Sequence, residues 1–299
     1  HIGFGNLQEG KTMGLAPYGA NEPPLAYDFD GRFEGIRTSY ETFCVEGNYS
    51  LRQDILSPST FAEQARAAYE TQMECERALL HLGKYARKVT GMPNLCLSGG
   101  VALNSVANNS LLKARIFDDI FINPAASDTG IPLGAAYYGH YALGQNKRRA
   151  GEISPYLGPT YSSERIDEAI AVFSGYKIVR DNALKQAIEM LCANKIVARF
   201  EGRSEMGPRA LGHRSILMSP LIAENKDVLN ARVKFREEFR PFAPIVMEEH
   251  SQDYFDIDRP CPYMLLVPNV LPNKRDVIPA VTHVDGTARV QTVTQSFNG

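Results

Sequence analysis

Apolar positions recur at helical spacing across residues 59–90. Ala65, Ala68, Leu79, Leu82 and Ala86 mark one face, and the pattern predicts a single long helix. Ser59 or Thr60 is placed to cap it, with Glu63 at capping-box spacing, and Gly91–Met92–Pro93 ends it. Asn94 to Leu97 then predicts a short apolar strand, Ser98–Gly99–Gly100 a tight turn, and Val101 to Leu112 a second helix. Strand, turn and helix in that order begin an α/β unit. Ile116 to Ile122 predicts another strand, leading into a polar loop at 123–130 and a small-residue helix from Ile131 to about Gly144.

Periodicity fades from Gln145 to Ser163, where NKRRAG is followed by Pro155, Gly158 and Pro159. This stretch reads as a linker. Beyond it, 163–173 and 182–194 predict helices, and Lys195 to Phe200 a strand. PFAPIV, YMLLVP and ARVQTV predict later strands separated by turns, so the second half is expected to be α+β and richer in strand. No internal repeat or low-complexity tract is evident. A chain of 299 residues is long for one core, and two domains are expected, 1–150 and 151–299.

Charge changes this picture locally. The net charge is −2, which predicts no general affinity for nucleic acid or anionic membranes. Yet the window from Lys195 to Arg240 holds ten Lys/Arg against six Asp/Glu. Any basic site is therefore confined. The five cysteines (Cys44, Cys75, Cys96, Cys192 and Cys261) form no CxxC pair, which fits reduced thiols in a cytoplasmic protein. No apolar run approaches the ~20 residues of a membrane span, and no signal-peptide pattern opens the chain.

Within the basic window, FEGRSEMGPRALGHRS combines three glycines, three arginines and one proline from Phe200 to Ser215. Guanidinium groups bind phosphate or carboxylate bidentately, and glycines let the backbone wrap an anion. Met206, Pro208, Ala210 and Leu211 interleave with the charges, which tucks the loop against the fold rather than into solvent. VKFREEFRPFAP adds Lys234, Arg236 and Arg240 among three phenylalanines; an amphipathic helix end explains it equally well. THVDGTARVQTV places Arg289 in an otherwise apolar strand, where an arginine must be paired or reach a cleft. SGGVALN puts two glycines between strand and helix, a weak signal for anion or nucleotide contact that close packing also explains. Asp128 in ASDTG is either an N-cap or a metal-linked carboxylate. Lys11, in GKTMGLAPYG, is either a phosphate contact or part of a surface loop. The six histidines are isolated, so no complete transition-metal site is expected. GxSxG, Cys/His and Walker A patterns are absent from the sequence.

CLSGGVALNS, NPAASDTGIPLGAA, FEGRSEMGPRALGHRSIL, FREEFRPFAP and PAVTHVDGTARVQTV occur in this order over essentially the whole chain. The set resembles the carbamoyltransferase family, which includes nodulation carbamoyltransferases and antibiotic O-carbamoyltransferases. The resemblance implies an α/β domain of the actin/Hsp70-like (ASKHA) type, in part, followed by a YrdC-like α+β domain. It implies that carbamoyl phosphate and ATP, with Mg2+, form carbamoyl adenylate in the YrdC-like domain. The carbamoyl group then passes to a hydroxyl of a small molecule or sugar, near an iron or other divalent metal. Carried over by motif, Arg209, Lys234, Arg240 and Arg289 surround carbamoyl phosphate, Arg203 and Ser204 support the phosphate or nucleotide, Gly99, Gly100 and Asn104 meet the nucleotide part, and Asp128 is a metal ligand.

Both ends look cut. The family's metal-binding histidine pair and part of its nucleotide pocket would lie upstream of His1, and the end of the YrdC-like domain beyond Gly299. A chain inactive by itself is the resulting expectation. A hydrogenase-maturation or threonylcarbamoyl-type enzyme uses the same folds and is the alternative. A non-catalytic RNA-binding module is a third class, which the near-neutral charge argues against. The carbamoyl acceptor is not readable from the sequence.

Overall fold

The computed structural model describes residue 4 and residues 8–25, 32–39, 44–45, 48–51, 58–148, 154–179 and 181–295. The two chain ends and the middle of the expected linker, 149–153, lie outside the described residues. The architecture is mixed α/β with small sheets. A short helix α1 (Glu9–Leu15) is followed by two small antiparallel pairs, β1 (Arg32–Glu34) with β2 (Arg37–Ser39) and β3 (Cys44–Val45) with β4 (Asn48–Leu51).

The long helix is present as α2 (Phe61–Thr90), and its ends are those the sequence predicts. Thr60 Oγ1 accepts the Glu63 N–H at 3.2 Å, and Glu63 Oε2 accepts the Thr60 N–H at 3.1 Å. Gly91 closes the helix in the left-handed region, φ 66°. Ala65 and Ala68 are fully buried against Leu15 and Ala16. A Cβ at Gly19 would stand 2.0 Å from the Ala65 carbonyl oxygen, so only glycine lets this backbone approach α2.

β5 (Asn94–Leu97) and β6 (Asp119–Ile122) pair in parallel, joined through α3 (Ser105–Lys113). The helix expected from Val101 is interrupted. Gly100–Leu103 is a 3-10 turn, and Asn104 (φ −75°, ψ 91°) breaks the run to become the N-cap of α3. Its Oδ1 accepts the Ala107 N–H at 3.0 Å, a competing local bond that favours caps over helix interiors. α4 (Ile131–Tyr137) runs on into a π-type turn, Tyr138–Leu143.

The second half contains α5 (Ser163–Ala171), α6 (Ala183–Cys192), β7 (Val197–Phe200), β8 (Arg214–Leu217), α7 (Asn225–Leu229), β9 (Ile245–Met247) and β10 (Gln291–Val293). β7 and β8 are antiparallel; β9 and β10 are parallel. The expectation of a strand-rich second half needs correction. Only Ile245–Met247 and Gln291–Val293 of the predicted late strands form ladders, and YMLLVP forms none. Its residues are nevertheless buried: Leu265, Leu266 and Val267 face the interior from irregular backbone, with Met264 at φ 56°. Burial alone gives an apolar run no strand where a positive-φ residue breaks the extended backbone.

Leu265 packs in one cluster with Ala102, Ile122 and Ala126, so apolar residues from the two halves share a core. Asn108 of α3 reinforces this contact, donating from Nδ2 to the carbonyls of Ala102 (2.8 Å) and Leu265 (3.2 Å). Among the described residues no helix is long and apolar enough to cross a membrane.

Candidate functional site

Three of the motifs converge where β5 and β6 end. The Gly99 N–H donates to the Ala126 carbonyl at 2.7 Å, which lays the SGG turn beside the NPAASDTG loop. The GPRALG loop then packs onto that pair. Gly207 has φ 94°, and a Cβ there would stand 2.5 Å from the Pro124 carbonyl oxygen. The carboxyl ends of parallel strands are where open α/β sheets bind ligands.

The loop between β7 and β8 is held in shape by one carboxylate. Glu205 Oε1 accepts N–H bonds from Leu211 (2.9 Å), His213 (2.8 Å) and Arg214 (3.0 Å). Partial burial pulls this carboxyl up, but the N–H bonds outweigh it and hold its pKa below the usual glutamate value. The Leu211 carbonyl is fastened twice, by Tyr156 Oη at 2.9 Å and Gln291 Nε2 at 3.0 Å. His213 stacks on Tyr156, with ring centroids 3.9 Å apart, and its Nδ1 lies 2.7 Å from the Arg203 carbonyl. Arg214 donates to the Glu201 and Gly202 carbonyls. Glu205, His213 and Arg214 therefore build the loop, which frees Arg209 at its tip.

Arg209 Nη2 donates to the Leu103 carbonyl at 2.9 Å, while its Nε is buried without a partner. Burial presses its pKa down. Arg289 is in a harsher position. Its Nε is buried and unpaired, and burial together with the charges of Arg209 and Arg240 pushes the guanidinium down to about 9. Arg236 is lowered to about 10 by half-burial and by Arg240 and Arg289. A guanidinium stays cationic at neutral pH under either shift; the shifts register mutual repulsion in a poorly hydrated place. Glu237 is the carboxylate that opposes this repulsion at Arg236, and Lys11 of α1 binds it. Arg240 Nη1 is 3.9 Å from the other oxygen of Glu237. Desolvating a cation without a counter-charge costs several kcal/mol, so a cluster of this kind fits a bound anion.

Arg289 also lines a cavity of about 70 Å³ with Met13, Ser105, Lys226, Phe239 and His283. That space accommodates a few waters or one small solute. The cavity has walls from both halves of the chain.

A family model for the carbamoyltransferase N-terminus matches residues 1–137, and one for the carbamoyltransferase C-terminus matches residues 188–299. The chain belongs to the carbamoyltransferase family. Nodulation protein NolO of Bradyrhizobium diazoefficiens is 38% identical over 317 residues, covering 100% of this chain and 56% of the relative. Nodulation protein NolNO of Sinorhizobium fredii is also 38% identical, covering 100% of this chain and 45% of the relative. Nodulation protein U of Rhizobium tropici is 38% identical over 72% of this chain and 36% of its own length. The chain thus spans about half the length of these first two relatives.

Of the residues carried over by the carbamoyltransferase motifs, Arg209, Arg240 and Arg289 lie close enough to act on one another's charge, and Lys234 is exposed. Phe235 takes φ 47°, which reverses the chain after the π-type turn Asn230–Lys234. Lys234 is left exposed and Arg236 is turned inward. There it donates from Nε to the buried Asn230 Oδ1 at 2.7 Å and lies over the Phe242 ring at 4.6 Å. Arg236 was legible in FREEFRPFAP as a charge, but not as an inward one. Arg289 lies just ahead of β10 rather than in a strand.

Gly99 and Gly100 present bare backbone, with nothing within 4 Å of where a Cβ would stand. Asn104 is committed to the α3 cap and to Gln72, which its Nδ2 meets at 2.9 Å. Arg203 is exposed, and the Ser204 carbonyl accepts the Gly158 N–H at 3.0 Å. Asp128 is exposed at the first position of the Asp128–Gly130 turn, where Ser127 holds the cap position. Among the described residues no three His, Cys, Asp or Glu side chains come together. Lys11 lies in α1 rather than in a loop, and it pairs with Glu237. His283 and Lys226 are isolated polar residues, which have no periodicity to mark them as neighbours in the sequence.

Proposed function

We propose that this chain binds and activates carbamoyl phosphate as part of an O-carbamoyltransferase. The observation that carries the reading is the convergence of Arg209, Arg236, Arg240 and Arg289, with unpaired buried Nε atoms on Arg209 and Arg289. Carbamoyl phosphate is a small dianion that such a set would neutralise. Two parts are envisaged, an ASKHA-like part within 1–150 and a YrdC-like part within 151–299.

In this reading water first divides carbamoyl phosphate into carbamate and inorganic phosphate, the arginines holding the phosphoryl oxygens as negative charge moves onto them. A carbamate oxygen then attacks the α-phosphorus of ATP and displaces pyrophosphate, giving carbamoyl adenylate. Finally an acceptor hydroxyl attacks the carbamoyl carbon and AMP leaves. The open backbone at Gly99–Gly100, beside the Arg209 loop, is the place in this chain where a nucleotide phosphate would approach. Arg203, near the same loop, is available to solvent-side phosphate oxygens.

The test is calorimetric titration of the chain with carbamoyl phosphate, alongside Arg209→Ala and Arg289→Ala. Binding that falls at least about a hundredfold in each variant supports the reading, since each removes a charge-assisted bond to the anion. Equal binding in all three proteins sinks it. Carbamoyl-phosphate-dependent exchange between ATP and pyrophosphate tests the adenylate step separately.

A further inference from the structure

His283 lies in the THVDGT turn, on the wall of the cavity that Arg289 also lines. Its Nδ1 is 3.1 Å from Thr287 Oγ1, and that hydroxyl donates to Asp285 Oδ1 at 2.7 Å. The Thr287 proton is thereby committed to the carboxylate, so Thr287 Oγ1 can only accept from the imidazole. Nδ1 therefore carries the proton, and Nε2 presents a lone pair. That Nε2 is buried and has no hydrogen-bond partner. Burial, with Arg289 and Lys226 acting against Asp285, also holds the ring down to about 4, so it is neutral under ordinary conditions.

A buried acceptor without a partner carries a penalty of its own unless a ligand donates to it. Arg289 and Lys226 carry donors that could serve an acceptor, yet neither is bonded to Nε2. Those donors suit phosphate oxygens. They provide nothing for the amide N–H of a carbamoyl group, the one feature that separates carbamoyl phosphate from acetyl phosphate. The two compounds have nearly the same shape, with NH2 in one where the other has CH3. Resting on the reading of this site as the carbamoyl phosphate site, we propose that His283 determines specificity, its Nε2 accepting a hydrogen bond from the carbamoyl NH2 while Arg289 holds the phosphate. The Asp285–Thr287 chain positions the residue by setting its tautomer. A site that requires a hydrogen bond rejects the analogue lacking it far better than an apolar pocket can.

The experiment is calorimetric titration of the full chain with carbamoyl phosphate and, separately, acetyl phosphate, for the native protein, His283→Leu, His283→Gln and Arg289→Ala. The native protein is expected to prefer carbamoyl phosphate. In His283→Leu that affinity falls about tenfold or more, while the affinity for acetyl phosphate stays within about twofold. His283→Gln, whose side-chain oxygen can take the place of Nε2, keeps part of the preference. Equal loss of both ligands in His283→Leu would mean a packing role and overturn the proposal. So would unchanged selectivity; if Arg289→Ala then loses both ligands, the anion site itself survives. A native chain that binds neither compound overturns both readings. Should circular dichroism show His283→Leu unfolded, His283→Gln decides: retained preference supports the assignment, and lost preference ends it.

Discussion

Arg209 donates a hydrogen bond from Nη2 to the backbone carbonyl of Leu103 at 2.9 Å, joining positions 106 residues apart. Leu103 belongs to the turn that follows the double glycine, and Arg209 to the GPRALG loop. One bond of the guanidinium thus fixes its direction, and its remaining donors are left for a ligand. Arg209→Lys should therefore lose much of the binding despite keeping the charge, because an ammonium lacks the planar fork. Titration with carbamoyl phosphate checks this; a lysine variant as tight as the native protein would contradict it.

The loop that presents Arg209 depends on Gly207. Its φ is 94°, and only 2.5 Å would separate a Cβ from the Pro124 carbonyl oxygen, so there is no room for a side chain. Gly207→Ala should destabilise the protein by about 2–4 kcal/mol, combining backbone strain with a steric shift. Thermal denaturation measures it, and a loss under about half a kcal/mol would be inconsistent with the packing described.

Glu205 predicts an acid-dependent loss of stability. Its folded pKa is below the unfolded one, so the stabilisation is present above the unfolded value, about 4.3, and is lost as pH falls through the folded value. Glu205→Gln should be less stable at neutral pH by about 1–3 kcal/mol, since three N–H bonds lose a charged acceptor. The gap between native and variant proteins should narrow below pH of about 4, as followed by denaturant titration across pH.

Arg289 predicts the opposite sign. Its folded pKa is depressed, so the native state binds fewer protons than the unfolded state between about 9 and the ordinary arginine value, and the group opposes folding at neutral pH. Arg289→Met should be more stable than the native protein without ligand, by up to about 1–4 kcal/mol. Carbamoyl phosphate should raise the melting temperature of the native protein and leave that of Arg289→Met unchanged. A variant that is both less stable and still stabilised by the ligand would remove the case for an anion site.

Much of the local structure was legible in the chain. The capping box at Thr60–Glu63, the stop at Gly91, the strand at Asn94–Leu97 and the parallel order of an α/β unit follow from short-range stereochemistry. Such rules act within a few residues, so they survive whatever packs around them. The arginine and glycine content of GPRALG was legible too, and the anion-binding reading proposed for the loop rests on it. What tertiary structure decided was direction and partnership. The left-handed turn at Phe235 exposes Lys234 and turns Arg236 inward, and no pattern of charges encodes that reversal. YMLLVP is apolar enough for a strand, but Met264 at φ 56° breaks the extended run, and the segment forms no ladder although Ala288 N–H reaches the Pro268 carbonyl at 3.0 Å. The meeting of Arg209 with Leu103, and of His283 with Arg289 on one cavity wall, joins segments that no local rule connects. Sequence alone thus determined the residue types and local turns. Only long-range packing determined which charges are stripped of water and face one another, because desolvation is a property of the assembled core.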